Sequence, residues 1–391
     1  MSSASKVKSS YSFHNQPTLI RGGEPYFKTL LKLIDQAHTS IQLQVYIFDE
    51  DETGNAVAHK LIEARKRNIE VQVLLDGYAS RKLSNSFKEL LRNAGIQLRF
   101  FNPIFKSEQF YFGRRLHHKI LVVDGIQALV GGINISNRYN DMPEDPAWLD
   151  WAILIEGDIA YELHKLCNFF YAKWSKKIVH LDKKNVLPKI NTSLHCPMRI
   201  RRNDWVMNLN QISASYMEIL KNAQQEIIIM SSYFIPSNFI RASMITAIKR
   251  GVSIKLILAS TSDIGIAKYA EKYLYAWALR NGIIIYEYKT NVLHGKIAVC
   301  DNRIVTIGSY NINDISALAS IELNIDVEEK NFASQVKNQL NTIIEKDCIR
   351  VNPKVFYASQ GIIEKLLQWM AYRTFRVVFK LFTFYFIKQR K

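Results

Sequence analysis

Residues 116–124, Leu-His-His-Lys-Ile-Leu-Val-Val-Asp, recur in altered form at residues 293–301 as Leu-His-Gly-Lys-Ile-Ala-Val-Cys-Asp. Each copy is followed by a glycine turn and an asparagine, Asn134 in the first and Asn311 in the second. The two histidines, 294 minus 117, lie 177 residues apart, and the lysines, aspartates and asparagines give the same difference. Repetition at one offset indicates that the chain consists of two homologous halves.

The repeat extends upstream as a strand, a helix and a second strand in each half. The strands are rich in β-branched and aromatic residues, and the helices have apolar residues at three- and four-residue spacing. The copies are residues 40–48, 56–67 and 70–75, and residues 226–234, 239–250 and 253–258. The repeated motif is predicted to be the third strand. We therefore predict an α/β fold of two homologous α/β/α sandwich halves, whose mixed sheets pack pseudo-symmetrically around one shared active site.

The 391 residues exceed the size of one ordinary hydrophobic core and are divided into three predicted parts. Residues 10–190 form the N-terminal half, residues 191–355 the C-terminal half, and residues 356–391 a basic amphipathic tail that binds membranes. The stretch 176–202, which is basic and contains two prolines, is interpreted as the connection between the halves.

Cleaving a phosphodiester without a metal needs a nucleophile, a proton donor for the leaving oxygen, and cations for the phosphate. The duplication supplies each of these in pairs. One of His117 and His294 can attack phosphorus while the other, protonated, donates to the leaving oxygen. Lys119 and Lys296 are expected to neutralise the phosphate. No group of metal ligands accompanies the motifs, so neither a metal nor another cofactor is predicted.

The remaining motif residues are given supporting functions. Asn134 and Asn311 are expected to donate hydrogen bonds to the phosphate. Asp124 and Asp301 complete the motifs, but each precedes a turn-forming residue, so a structural role is expected within the catalytic motif. Strand alternation points His118 to the opposite face of the sheet from His117, which indicates a structural residue.

Both motifs have the form HxKxxxxD and resemble those of the phospholipase D superfamily. Residues 71–78 and 114–125 are most similar to the B-type bacterial cardiolipin synthases, and the resemblance extends from about residue 10 to the tail. It implies a phosphohistidine intermediate with His117 as the nucleophile and His294 as the acid. It also implies an acidic residue downstream of each motif that orients that motif's histidine. Asp150 and Glu322 are the candidates for this role.

The charge balance predicts an anionic partner. The chain has 52 Lys and Arg against 35 Asp and Glu, a net charge of +17. Nucleic acid and anionic phospholipid both attract such a surface. The proportions of hydrophobic residues, 48%, and charged residues, 22%, fit neither a polytopic membrane protein nor a disordered chain. The first ten residues are polar and show no secretory signal or anchor, and the four cysteines show no metal or disulfide spacing, so a cytoplasmic site is expected.

The tail at residues 361–391 favours lipid. Arg373, Arg376 and Lys380 share one helix face, and an apolar face lies beside them. This apolar face contains Phe375, Val378, Phe379, Phe382 and Phe386. The longest uncharged run is far shorter than the ~20 residues of a membrane span, so we predict a helix in the plane of the membrane. The alternative is a helix docked on the protein body.

A second patch, residues 102–115, mixes aromatic and basic side chains and suits either a lipid interface or stacked nucleobases. With the tail, it favours lipid. The resemblance implies a peripheral enzyme on the cytoplasmic face of the inner membrane that recognises phosphatidylglycerol and cardiolipin. The resemblance implies a cardiolipin synthase-like phosphatidyltransferase. A phospholipase D-type hydrolase and a non-specific nuclease or phosphodiesterase remain alternatives. The acceptor lipid, the oligomeric state and the order of the two histidines are left open by the sequence.

Overall fold

The computed structural model describes residues 10–103, 114–172, 178–181, 186, 191–261, 265–313 and 320–388, with the backbone alone at residues 375 and 378–388. Most of the aromatic and basic patch, at residues 104–113, lies outside the described residues. The side chains of all five residues predicted to form the apolar face of the tail also lie outside the described ones.

The first half forms one mixed sheet. Its strands are β1 (Asn15–Arg21), β2 (Ser40–Val45), β3 (Glu70–Asp76), β4 (Gln97–Phe101), β6 (Lys119–Val123), β7 (Gln127–Gly131) and β8 (Trp151–Gly157). The spatial order is β1-β8-β7-β6-β2-β3-β4. The pairs β2–β3 and β3–β4 are parallel, and the other neighbours are antiparallel.

The second half repeats this topology with short additions at the edges. Its strands are β9 (Met198–Asp204), β10 (Leu209–Asn210), β11 (Glu226–Ser231), β12 (Ser253–Ala259), β13 (Ile284–Tyr288), β14 (Lys296–Cys300), β15 (Ile304–Gly308), β16 (Ser320–Glu328) and β17 (Cys348–Arg350). The order is β10-β9-β16-β15-β14-β11-β12-β13-β17. A further strand of the first half, β5 (Arg115–Leu116), pairs in parallel with β16 and so joins the two halves.

The helices cover both faces of the sheets. They are α1 (Glu24–Asp35), α2 (Glu52–Lys66), α3 (Asn85–Asn93), α4 (Asp158–Ala172), α5 (Gln211–Asn222), α6 (Asn238–Lys249), α7 (Gly265–Arg280), α8 (Lys330–Asp347), α9 (Pro353–Ser359) and α10 (Ile362–Lys388). Several begin at a side chain that accepts a hydrogen bond from the first turn, as Asp51, Ser84 and Ser237 do. No helix in the described part of the chain is long and apolar enough to cross a membrane.

The two halves share a hydrophobic core. Helices α1 to α3 pack on the outer face of the first sheet, and α5 to α7 on the outer face of the second. Between the sheets lies a cluster with members from both, including Trp151, Ile153, Met230, Ile297 and Leu323. Each fully buried side chain of this size contributes about 1.5–3 kcal/mol. The predicted arrangement of two homologous mixed-sheet halves is therefore confirmed, and their packing fixes one half relative to the other.

Two details of the prediction were wrong. The motif was taken as the third strand of each half, but β1, β4 and β5 also precede β6, and β9, β10 and β13 also precede β14. These strands are short or lie towards the sheet edges. The interpretation of residues 176–202 as the connection fails at its end, because Met198–Asp204 is strand β9, which pairs with β16. The predicted boundary near residue 190 is not affected.

Candidate active site

The two motif histidines lie at the junction of the halves. His117 lies between β5 and β6, and His294 lies two residues before β14 starts. The backbone N–H of His117 donates to the carbonyl of Ile321 at 3.0 Å, and that of His294 donates to the carbonyl of Leu149 at 2.8 Å. Each histidine is thus held by a backbone hydrogen bond from the opposite half.

This register places each histidine beside a carboxylate of the other half. His117 Nδ1 lies 2.9 Å from Glu322 Oε2, and His294 Nδ1 lies 2.6 Å from Asp150 Oδ2. Both carboxylates are fully buried. The expectation that each acid orients the histidine of its own motif was wrong. Because Ile321 and Leu149 immediately precede the acids, the backbone bonds between halves determine which acid meets which histidine.

The surroundings of the two carboxylates differ. Ser309 Oγ donates to Glu322 Oε2 at 2.5 Å. The equivalent position in the first half, 177 residues earlier, is Gly132, where a Cβ atom would lie 2.5 Å from the Asp150 carboxylate oxygens. In one half a longer acid therefore accepts from a serine hydroxyl, whereas in the other half a shorter acid lies directly against a glycine. Sequence reasoning missed this difference, although the aligned Gly132 and Ser309 carried the signal.

Burial lowers the pKa of both histidines. For His117, burial outweighs the opposing effect of Glu322. For His294, burial and the nearby Lys296 lower the pKa to about 4. Both imidazoles are therefore neutral near pH 7 in the free protein, which suits a nucleophile. An anionic phosphate in the site raises a nearby histidine pKa, so the proton donor is expected to gain its proton with the substrate.

The two lysines lie beside the histidines and are almost fully buried. Lys119 Nζ donates to the carbonyl of His117 at 2.9 Å, and Lys296 Nζ donates to the carbonyl of His294. Burial lowers the pKa of Lys119 to about 7. Two lysines held this way can each direct further N–H groups at a phosphate, and the anion would favour their charged form.

The side chains of the two asparagines are held by hydrogen bonds. Asn134 Oδ1 accepts from the backbone N–H of Ile47 at 3.1 Å, and its Nδ2 donates to the hydroxyl of Tyr139 at 2.9 Å. Asn311 Oδ1 accepts from Ser232 Oγ at 2.7 Å. Fixing the amide oxygen orients the amide N–H groups. Donation by these groups to a phosphate stays a prediction.

Aromatic rings of the first half contact both histidines, and sequence reasoning did not single them out. Tyr46 lies edge-on to His117, with the ring centroids 4.7 Å apart, and Lys119 Nζ lies 5.1 Å from the Tyr46 ring centroid. Tyr139 and Trp148 lie 5.2 Å and 6.0 Å from the His294 ring. Position 232, which aligns with Tyr46 in the upstream repeat, is serine. Among the described residues, the aromatic rings recorded against the two histidines therefore all come from the first half.

The two motif aspartates lie at the far ends of their strands and are not grouped with the catalytic histidines and lysines. The Asp124 carboxylate accepts from the backbone N–H groups of His38, Thr39 and Ser40 at 2.8–2.9 Å. Asp301 accepts likewise from residues 224–226 at 2.7–2.9 Å. Both adopt positive φ angles, 53° and 50°. Each carboxylate ties the turn after one strand to the start of its neighbour, so placing these aspartates among the catalytic residues is corrected to a structural role.

We expect Asp124→Asn and Asp301→Asn each to lower the free energy of unfolding by about 1–3 kcal/mol, because a charged acceptor of several hydrogen bonds is lost. Asparagine tolerates the positive φ, so backbone strain does not confound the result. Chemical denaturation measures the change. Activity per folded molecule should stay within about twofold; a large loss of activity at unchanged stability would contradict the structural role.

His118 is a structural residue, as its position in the motif predicted. It is fully buried, with Nδ1 3.0 Å from Gln44 Oε1 and its ring edge-on to Phe170. Burial lowers its pKa well below the usual value, so it stays neutral. It faces α4 and the sheet and not the paired histidines.

Comparison with known proteins finds related sequences over most of the chain. A family model described as "Cardiolipin synthase, PLD-like domain" matches residues 30–152 and 216–344, one match in each half. The chain is 31% identical over 354 residues to cardiolipin synthase B of Shigella flexneri, covering 88% of this chain and 84% of that protein. It is 32% identical over 346 residues to cardiolipin synthase B of Salmonella typhi, covering 86% and 82%.

A solved structure supports the fold. The crystal structure of phosphatidylserine synthase from Haemophilus influenzae Rd KW20 superposes with a TM-score of 0.74 over 96% of this chain and 97% of that chain, at 15% sequence identity. The duplicated fold and the paired HxKxxxxD site define an enzyme of the phospholipase D superfamily, of the phosphatidyltransferase class. Within that superfamily, the chain belongs to the cardiolipin synthase family.

Proposed function

We propose that this protein makes cardiolipin by moving a phosphatidyl group from phosphatidylglycerol to the hydroxyl of a second phospholipid through a phosphohistidine intermediate. The observation that carries the proposal is the pair of histidines, each hydrogen-bonded to a buried carboxylate of the other half. The proposed reaction consists of two successive displacements at phosphorus, and the enzyme carries the phosphatidyl group between them. One imidazole can serve as the nucleophile and the other as the acid and base.

In the first step, Nε2 of His117 attacks phosphorus. The bond from phosphorus to the glycerol oxygen breaks, and His294 gives that oxygen a proton. In the second step, His294 takes the proton of the acceptor hydroxyl, whose oxygen forms the new bond to phosphorus and releases His117. Glu322 and Asp150 hold each imidazole with Nε2 free and stabilise the positive charge that forms.

The choice of lipid over nucleic acid rests on the relatives and on the tail. The relatives named above are cardiolipin synthases. Residues 361–391 are proposed to hold the enzyme peripherally on the cytoplasmic face of the inner membrane, where phosphatidylglycerol and cardiolipin are the partners. The backbone of residues 362–388 is helical, as an in-plane membrane helix requires. The net charge of +17 suits an anionic bilayer surface.

The test is to incubate the purified protein with phosphatidylglycerol vesicles in EDTA and to follow lipids and free glycerol by mass spectrometry. We expect cardiolipin and glycerol in equimolar amounts, and neither product with His117→Ala. Asp124→Asn is a matched control, because it changes the same motif without touching the histidine pair. Phosphatidic acid alone would indicate a hydrolase. Activity on nucleic acid with no lipid product, or loss of all activity in EDTA, would overturn the proposal.

A further inference from the structure

A cleft of about 450 Å³ lies between α7 and the two helices that follow the second half, α9 and α10. It shares no residue with the active site. Its volume is in the range of sites that hold small molecules or headgroups. The cleft is bounded on one side by Tyr273 and Trp277 of α7 and on the other by Phe356 and Tyr357 of α9.

The charged side chains of the cleft are all basic. Arg241, Arg280 and Lys365 line it, and no acidic residue is among its described lining residues. The Arg241 guanidinium lies 5.4 Å from the Trp277 ring centroid, and one of its nitrogens donates to Asn238 Oδ1 at 2.6 Å. Its Nε is buried and has no hydrogen-bond partner among the described residues. Three cations among aromatic rings suit an anion attached to an apolar body.

Next to the cleft, α10 has its more polar side inward. Gln368, Ala371 and Tyr372 are buried, and Tyr372 stacks on Tyr273 at 4.8 Å. The outward face of the same helix is apolar and exposed. It contains Ile362 (87% exposed), Ile363 (75%), Leu366 (52%), Met370 (41%) and Val377 (53%). A solvent-facing stripe of this kind, spaced along one helix face, marks a surface that is covered in use.

The charges on this stripe select its occupant. Between residues 362 and 377 the exposed charged side chains are Lys365 and Arg373, both basic. Basic residues beside exposed aliphatic ones complement an anionic bilayer surface. A second copy of the same face would bring like charges together. The stripe and the cleft are contiguous through Lys365, which belongs to α10 and lines the cleft.

We propose that this cleft is a second lipid site, which binds the phosphate of an anionic phospholipid at the bilayer surface while the stripe of α10 contacts the acyl region. The inference rests on the proposed function only in taking the ligand to be an anionic phospholipid. It adds a non-catalytic site that holds the second half on the membrane. It also moves the apolar contact to residues 362–377, towards the start of the tail.

The test measures binding without turnover, in the His117→Ala background. Flotation compares vesicles of phosphatidylcholine with vesicles containing phosphatidylglycerol. Arg241→Gln with Arg280→Gln should weaken binding to the anionic vesicles about tenfold or more, as expected for two cations close to the surface. Lys32→Gln with Arg92→Gln removes equal charge from exposed positions of the first half and should change binding less than about twofold. Arg241→Lys with Arg280→Lys should retain most of the binding, which separates lost charge from misfolding.

A second pair of variants tests the stripe. Leu366→Ser with Met370→Ser should weaken vesicle binding, whereas Leu90→Ser with Phe169→Ser, at exposed positions of the first half, should not. Equal binding by the cleft variants and the control pair would overturn the proposal. So would saturable binding of inorganic phosphate that the arginine variants abolish while vesicle binding persists, since the cleft would then be a free-phosphate site. Because no turnover is measured, these outcomes are independent of the cardiolipin synthesis assay.

Discussion

The His294→Ala protein, mixed with a p-nitrophenyl phosphodiester, should release about one equivalent of p-nitrophenol in a burst and then stop. His117→Ala should release none above background. A good leaving group needs no proton, so the attack by His117 survives the loss of His294. The second step does need His294 as a base, so the intermediate accumulates. With phosphatidylglycerol as substrate, both variants should lose about 10⁴-fold or more of their rate.

The adduct gives a direct readout. Intact-protein mass spectrometry and peptide mapping should place the phosphoryl group on His117 in the His294→Ala protein. His118→Ala is a poor control, because His118 is buried and structural, so Asp124→Asn serves as the turnover-competent comparison. An adduct on His294 in the His117→Ala protein, with a burst there instead, would reverse the assigned roles and leave the phosphohistidine mechanism standing. A burst in neither variant would overturn the mechanism.

Neutralising Glu322 or Asp150, each of which pairs with the histidine of the other half, should lower kcat about 10²–10⁴-fold, with a smaller change in KM. Glu322→Gln and Asp150→Asn preserve size, but an amide can hold the imidazole in the wrong tautomer and cannot stabilise its positive charge. The predicted losses are large because each carboxylate is buried and accepts from one histidine at 2.9 Å or 2.6 Å. Glu328→Gln, near the end of the same strand as Glu322, is the matched control and should leave kcat almost unchanged.

Titration of the histidines identifies which pairs are formed. Glu322 raises the pKa of His117 against the effect of burial, so Glu322→Gln should lower the pKa of His117 further. Asp150 acts in the same direction on His294, so Asp150→Asn should lower the pKa of His294 and not that of His117. Histidine NMR across the pH range can assign both. If Glu322→Gln changed only the pKa of His294, the pairing of Glu322 with His117 would be wrong.

The sequence by itself was sufficient to predict the repeat and the residues of the candidate site. Two motifs at one offset of 177 residues predicted two homologous halves, and the duplicated His and Lys predicted phosphoryl-transfer chemistry. Alternation predicted that His118 turns away from the site. These features are local, because strand alternation and motif spacing depend only on neighbours along the chain. The resemblance of the motifs then led to the family that the comparisons support.

Only the tertiary structure decided how the two copies are combined. Nothing along the chain tells which histidine Asp150 meets, because that depends on which strand of the other half lies beside each motif. The bonds from His117 to Ile321 and from His294 to Leu149 set that register. Asp124 follows Lys119 by five residues along an extended strand, which places them about 17 Å apart at ~3.3 Å per residue. Residues that are close in the sequence motif are therefore far apart in the structure. Local sequence patterns thus identify the motif residues, and the packing of one half on the other determines which histidine pairs with which carboxylate.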